Sequence, residues 1–302
     1  MPSLKDLRDR IKSVKSTRQI TKTMKMVAAA KMRKAEVACE NARPYAGALS
    51  EVLNNLAGRT PGGSAPLMLK GRDEVKTVRL IVFGSSRGLC GGFNGQIAKQ
   101  TRLAVADWER KGKLVQIVTV GSKTYNELKH THNDYIVHRD DDAAAEQKYP
   151  NAETLGTLAI DAFEEGLCDE VHILYNAFIN VMTQKPTFKQ LLPFKPEEQV
   201  AENPEDDSPA QAAAQTPQAS VEYEPNEEEI LKTLLPLNVS TQIFAALLES
   251  GAAEQGARMA AMDNATRNAG EMIDGLSLRY NRQRQANITG EITEIVSGAE
   301  SV

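Results

Sequence analysis

The chain has 302 residues, 41% hydrophobic and 5% aromatic, with a formal net charge of −4. That length admits one large domain or two modest ones, and scarce aromatics favour a chain placed largely in helices over one with a thick core. No run of about 18 apolar residues is present to span a bilayer. No basic start with an apolar stretch and cleavage site marks a secretory signal, so a protein of the cytosolic compartment is expected.

Cys39, Cys90 and Cys168 are scattered and odd in number, without CxxC spacing or a histidine cluster beside them. A disulfide framework and a zinc site are therefore not expected, and reduced, mostly buried thiols are. The net charge hides an asymmetry. Residues 1–43 carry twelve Lys and Arg against four acids, whereas Glu197 to Glu229 holds eleven acids and no basic residue. Opposite charge in separate places predicts several contact faces.

Between Pro2 and Pro44 there is neither proline nor glycine. Leu4, Leu7, Ile11 and Val14 form one helical stripe, which resumes in shifted phase at Ile20, Met24 and Val27. Such a shift predicts a discontinuity in a coiled coil. Ala28 to Ala30, Ala35 and Ala38 add helix propensity and a narrow surface. The helix continues or restarts after Pro44 through Leu49, Leu53 and Leu56, then meets a loop marked by Gly58, Pro61, Gly62, Gly63 and Pro66.

The period then changes. Val78 to Phe83 reads as a buried strand, followed by the glycine-rich turn Arg87 to Asn94 and a helix through Ile97 and Trp108. Val115 to Val120 is a second strand. A helix near Thr154 to Glu165 precedes a third strand, Glu170 to Tyr175, and Val181 to Leu192 suggests a partly exposed last one. Strands alternating with helices predict an α/β, Rossmann-like domain with a largely parallel sheet. Residues 197–226, acidic and proline-bearing, lack the apolar content to fold alone. From Leu237 to Val302 there is no proline, and Met262, Ala269, Ile273, Leu276 and Tyr280, then Ile288, Ile292 and Ile295, recur at helical steps. A helix of ~60 residues would be about 90 Å long, far more than one sheet needs. Two long terminal helices most simply bury their stripes on each other as an antiparallel coiled coil. The expected division is 1–57 and 229–302 for these helices, 74–195 for the central domain and 196–228 for an acidic loop.

Candidate chemistry is sparse. The turn after the first strand stands where phosphate-binding loops sit, but it matches neither GxGxxG nor GxxxxGK[ST]. A tight strand-to-helix connection is the simpler reading, with a nucleotide-binding enzyme as the alternative. His130-Thr-His132 lacks a third soft ligand, and the stretch through His138 to Asp142 reads as a solvated polar loop. The basic N-terminal helix has no aromatics for base stacking and no single greasy face for a membrane, so a protein partner or plain solvation remains. A static coiled-coil scaffold is the third reading.

Three motifs carry a resemblance. Ile20-Thr-Lys-Thr-Met-Lys-Met-Val-Ala-Ala-Ala-Lys-Met-Arg-Lys-Ala35, Arg87-Gly-Leu-Cys-Gly-Gly-Phe-Asn94 and Arg258-Met-Ala-Ala-Met-Asp-Asn-Ala-Thr-Arg-Asn-Ala-Gly270 through Val296 resemble, in order, signatures of the γ subunits of F-type rotary ATP synthases. The resemblance implies a non-catalytic central rotor shaft of a proton-translocating enzyme, without a cofactor or metal, present once per complex. Its partners would be a hexamer of α and β subunits around the coil, and the ε subunit and c-ring around the foot. No nucleic acid is implied, and membrane contact only through the c-ring. Because the motif begins almost at Met1, the cytoplasmic face of a bacterial inner membrane is expected.

Carried over by position, Met24 and Lys25 would meet the torque-transmitting lever of β, with Arg87 nearby. Arg284 and Gln285 would meet a β loop higher up, with Thr289 and Glu294 near the N-terminal helix. Ile292, Ile295 and Val296 would form an apolar tip in the hexamer's sleeve, and Tyr223 and Glu224 would touch the c-ring. Ser86 stands where many relatives carry an acid, and the inserted cysteine pair of plant-type γ subunits is not seen.

Overall fold

A computed structural model describes residues 3–59, 66–195 and 227–300. The acidic stretch 197–226, and with it Tyr223 and Glu224, lies outside them. Two helices dominate: α1 (Leu4–Arg59, 56 residues) and α7 (Glu227–Glu300, 74 residues). At about 1.5 Å per residue they are roughly 84 and 111 Å long. Between them lie α2 (Leu67–Lys70), β1 (Thr77–Phe83), α3 (Phe93–Arg110), β2 (Leu114–Val120), α4 (Ser122–His132), β3 (Ile136–Asp140), α5 (Asp142–Ala145), α6 (Tyr149–Glu164), β4 (Glu170–Phe178) and β5 (Gln184–Leu192).

The terminal helices run antiparallel, as cross-helix pairs ascend one helix while descending the other. Arg8 donates to the Tyr280 hydroxyl (2.9 Å), Thr266 to the Thr21 hydroxyl (2.8 Å) and Lys25 to Asp263 (2.6 Å). Farther along, Cys39 packs with Leu248 and Ala252. The covered positions of α1 step by three and four residues through Leu4, Leu7, Ile11, Val14, Thr21, Lys25, Ala28, Met32, Ala35, Cys39, Ala42, Ala46, Leu49, Leu53 and Leu56. Arg18 is the exposed member of that series. On α7 the same alternation runs through Met262, Thr266, Ala269, Ile273, Leu276, Tyr280 and Gln283. This repeat of about 3.5 residues is the repeat of a coiled-coil seam.

The predicted phase shift near Ile20 is therefore corrected. The seam holds its phase, filled by Thr21 and Lys25, while Ile20 and Val27 are exposed and Met24 is half-buried. Polar residues in the seam hide it from a pattern search, and the apolar stripe that catches the eye faces outward. Pro44 does not end α1, although its ring removes an intrahelical hydrogen bond. Pro236 is likewise inside α7, and Gly58 belongs to α1 and not to a loop.

The sheet has the order β3-β2-β1-β4-β5; β1 to β4 pair in parallel and β5 pairs antiparallel with β4. Alternation along β1 sends Leu80 and Val82 to one face and Ile81 and Phe83 to the other. The first face packs on Ile97 and Val105 of α3 and Leu128 of α4. The second packs on Leu155 and Phe163 of α6, Leu235 and Ile243 of α7, and Leu53 and Leu56 at the end of α1. Each such fully buried side chain contributes about 1.5–3 kcal/mol, so both long helices are rooted in the sheet domain. α7 does contain a window apolar enough to pass for a membrane span (mean hydropathy 1.3), but half of it is buried inside the fold.

Two further readings change. The stretch from His130 to Asp142, read as a polar loop, is the end of α4, a short 3-10 turn, β3 and the turn into α5. β3 is a five-residue edge strand whose His138 and Arg139 are exposed, so it carries little apolar signal. β5 begins at Gln184, after a turn in which the Asn180 side chain accepts from the Met182 and Thr183 amides (2.9 and 2.8 Å). The three cysteines are free and buried, as expected; burial pushes the Cys39 thiol up to about 11.

At the foot of β4, His172 packs on Trp108 (ring centroids 5.4 Å apart) and meets Glu170, which also pairs with Lys113 (both 3.3 Å). Burial pushes the imidazole below its ordinary value, against the pull of Glu170. A base whose folded pKa is depressed gives stability that is present above its unfolded pKa and lost as pH falls through the folded value. The denaturant midpoint is therefore expected to fall as pH drops below about 6.5. Urea titrations of the native chain and of His172→Gln on either side of that value check this: the variant loses part of the slope.

Candidate functional site

A dense polar constellation forms where β1 ends. Gly84 is required there, because an added Cβ would lie 1.5 Å from Thr124 Oγ1. The following loop wraps around Asn94, in the first turn of α3. Asn94 Oδ1 accepts the Ser85 amide (3.1 Å), and its Nδ2 donates to Ser85 Oγ (2.8 Å). Ser85 Oγ donates to the Arg87 carbonyl (2.7 Å), and Ser86 Oγ to the Asp141 carbonyl (2.7 Å). Thus Ser86 ties the loop to the β3–α5 turn with a neutral bond. Leu89 has a φ of 64°, in the left-handed region, and its side chain is exposed.

α7 pins this loop from outside. Arg258 is buried, pairs with Glu254 one turn earlier, and donates to the carbonyls of Arg87 (3.4 Å) and Gly88 (3.3 Å). Burial pushes the Glu254 carboxyl up, while Arg258, then Arg87 and Lys31, pull it down. A phosphate-binding loop aims its N–H groups at the ligand. Here Asn94 fills the turn, and carbonyls face an arginine, which is the geometry of a clamp between loop and helix.

Beside the clamp lies an open groove of about 410 Å³, lined among others by Met24, Val27 and Lys31 of α1, Arg87 and Leu89 of the loop, and Glu254 of α7. Its apolar surface is Met24, Val27 and Leu89, and its exposed cations are Lys31 and Arg87. That combination suits an acidic segment with apolar side chains better than a neutral surface.

The structure brings Met24 and Arg87 into this one groove. Lys25, half-buried, instead crosses the coil to Asp263. Arg284, Gln285, Thr289, Glu294, Ile292, Ile295 and Val296 lie elsewhere, on the far end of α7, and all are exposed, Ile295 to 71%. The expectation that Thr289 and Glu294 sit beside the N-terminal helix is corrected. Tyr280 is already opposite Arg8, so α7 outruns the described part of α1 and Arg284 to Ser297 is bare helix. Sequence reasoning missed the clamp itself. Its only trace in the chain is a Glu254-x-x-x-Arg258 step at the edge of the third motif. Among the described residues no group of three or more His, Cys, Asp or Glu is placed to hold a metal.

Comparison with known proteins agrees with this architecture. The profile of the ATP synthase family matches residues 3–302. Proteins called ATP synthase gamma chain from Pelagibacter ubique and Paracoccus denitrificans are each 47% identical over 304 residues, covering 100% of both chains. Among solved structures, a chain of the Euglena gracilis mitochondrial ATP synthase (OSCP/F1/c-ring, rotational state 3) superposes with a TM-score of 0.66 at 18% identity, covering 99% of this chain and 94% of that one. A chain of the Tetrahymena thermophila mitochondrial ATP synthase central stalk/c-ring does so with a TM-score of 0.59 at 23% identity, covering 82% and 99%. With the profile and the relatives spanning its full length, the chain belongs to the ATP synthase gamma-chain family.

Proposed function

We propose that the chain is the central, non-catalytic shaft of a proton-translocating ATP synthase, turning with the c-ring and driving the β subunits through their open and closed states. The observation that carries this reading is the bare end of α7. A helix that leaves its partner with Ile288, Ile292, Ile295 and Val296 exposed fits a sleeve of other subunits. An apolar tip slides in such a sleeve without breaking fixed hydrogen bonds. Lower down, the groove of Met24, Lys31 and Arg87 is the candidate torque contact, where a cationic and apolar surface meets an acidic β lever. Asymmetry does the work: one orientation of a rigid off-axis rod favours a different state in each β subunit, which is coupling by rigid-body displacement.

In this reading 1–57 and 229–302 form the shaft and 74–195 the foot, joined by 196–228. The foot faces the ε subunit and the c-ring on the cytoplasmic face of a bacterial inner membrane, with Tyr223 and Glu224 toward the c-ring. Arg284 and Gln285, and beyond them Thr289 and Glu294, meet β higher in the hexamer. Lys25 serves first as a strut of the coil. The test is to mix the purified chain with α and β subunits of its own organism and follow complex size and ATP hydrolysis together. One large complex holding a single copy, with a gain of ATPase activity, is the expected result. No assembly by α and β subunits shown to be competent would overturn it.

A further inference from the structure

Away from the clamp, Arg79 is a buried cation with no counter-charge among the described residues. Arg79 of β1 is 6% exposed. Its Nε and Nη2 donate to Gln116 Oε1 (3.0 and 2.7 Å) and its Nη1 to the Leu158 carbonyl (3.3 Å), all neutral acceptors. No carboxylate among the described residues reaches it within 4.0 Å. The other buried arginine, Arg258, has Glu254. Buried charges are ordinarily paired, because an unpaired one loses its hydration without return. Burial accordingly pushes the guanidinium pKa of Arg79 down. Each terminal nitrogen keeps a further N–H, the fork that a carboxylate takes in bidentate fashion.

The surroundings point the same way. Arg79 lines an open groove of about 580 Å³ on the outer side of α6, together with Thr154, Thr157 and Leu167. Leu114, on the same face of β2 as Gln116, is 69% exposed, and Leu167 is 52% exposed. Parallel sheets are normally covered on both faces; here α6 covers Arg79, while Leu114 and Leu167 stay uncovered. Asp161 and Glu165 also line the groove without pairing to Arg79.

We propose that this groove is a docking site for a segment of a neighbouring subunit that carries a carboxylate between apolar side chains. The carboxylate completes Arg79, and the apolar flanks cover Leu114 and Leu167. The inference rests on the chain working within a multi-subunit enzyme, and not on its rotation or on the clamp groove.

The test uses the assembled enzyme, with assembly verified first by size, so a failure to assemble is seen separately from an empty groove. Hydrogen exchange over residues 154–167 and 114–120 is compared between isolated chain and complex. In parallel, enzyme carrying Arg79→Lys is treated with a zero-length carbodiimide and its cross-links are mapped by mass spectrometry. The expected result is exchange slowed by at least about tenfold in the complex, with the substituted side chain linked to an Asp or Glu of another subunit. Equal exchange in the two states would overturn the proposal. So would a link to Asp161 or Glu165 of the same chain, or protection with no link between subunits.

Discussion

Replacing Arg258 by leucine is expected to destabilise the chain by roughly 3–5 kcal/mol, the usual effect of removing one partner of a buried ion pair. The carboxylate of Glu254, buried against the Gly84–Gly92 turn, would lose the cation that compensates its desolvation. The carbonyls of Arg87 and Gly88 would lose their donor at the same time. Unequal recovery distinguishes the two losses. Arg258→Leu combined with Glu254→Leu removes both charges and should regain much of the stability, because a well-packed apolar pair is often as stable as a buried salt bridge. The loop, still without its clamp, should keep faster amide exchange around Arg87. Denaturant titration gives the first quantity and hydrogen exchange the second. A single variant with native stability would mean that the clamp is not a structural element.

Removal of residues 286–302 should have the opposite profile. The described side chains from Ala286 to Ser297 are exposed, and Asn287 accepts a hydrogen bond from Gln283 one turn earlier on the same helix (2.9 Å). The melting midpoint of the isolated chain is therefore expected to move by no more than about 2 °C. If a sleeve of α and β subunits covers Ile288, Ile292, Ile295 and Val296, each contributes up to about 1.5–3 kcal/mol when fully buried. Partial coverage worth roughly 3 kcal/mol already corresponds to about a hundredfold in affinity. Dissociation of the truncated chain from the α and β subunits, followed by labelled-subunit exchange, should be faster by about that factor. An unchanged rate would mean that the tip is solvent-exposed in the complex as well.

How much of this was legible in the sequence depends on which force fixed each element. The central strands were legible because Val78 to Phe83 and Val115 to Val120 are apolar runs buried on both faces. The long helices were legible from length without breakers. The coil's register was not: Thr21 and Lys25 occupy seam positions, held by a hydroxyl pair and an ion pair that only the partner helix reveals. β3 was missed because an edge strand exposing His138 and Arg139 has no hydrophobic alternation to read. Met24 and Arg87 became candidates through the resemblance, since a stripe alone cannot separate a packing residue from a contact residue, and they line one groove. Glu254 and Arg258 escaped because a Glu–Arg step of one helical turn is ordinarily a solvated surface pair. Burial under the loop, invisible in sequence, changes its meaning.

The central claim is that this chain turns as one rigid piece inside a ring of catalytic subunits. The most direct measurement is optical. α and β subunits are fixed to a surface, a bead is attached to the exposed end of α4 at His130→Cys, and ATP is supplied. That site is far in sequence from both proposed β contacts and is exposed. The account predicts continuous rotation of the bead in one direction, dependent on ATP. ATP hydrolysis by complexes that contain the chain while every bead stays still would contradict it.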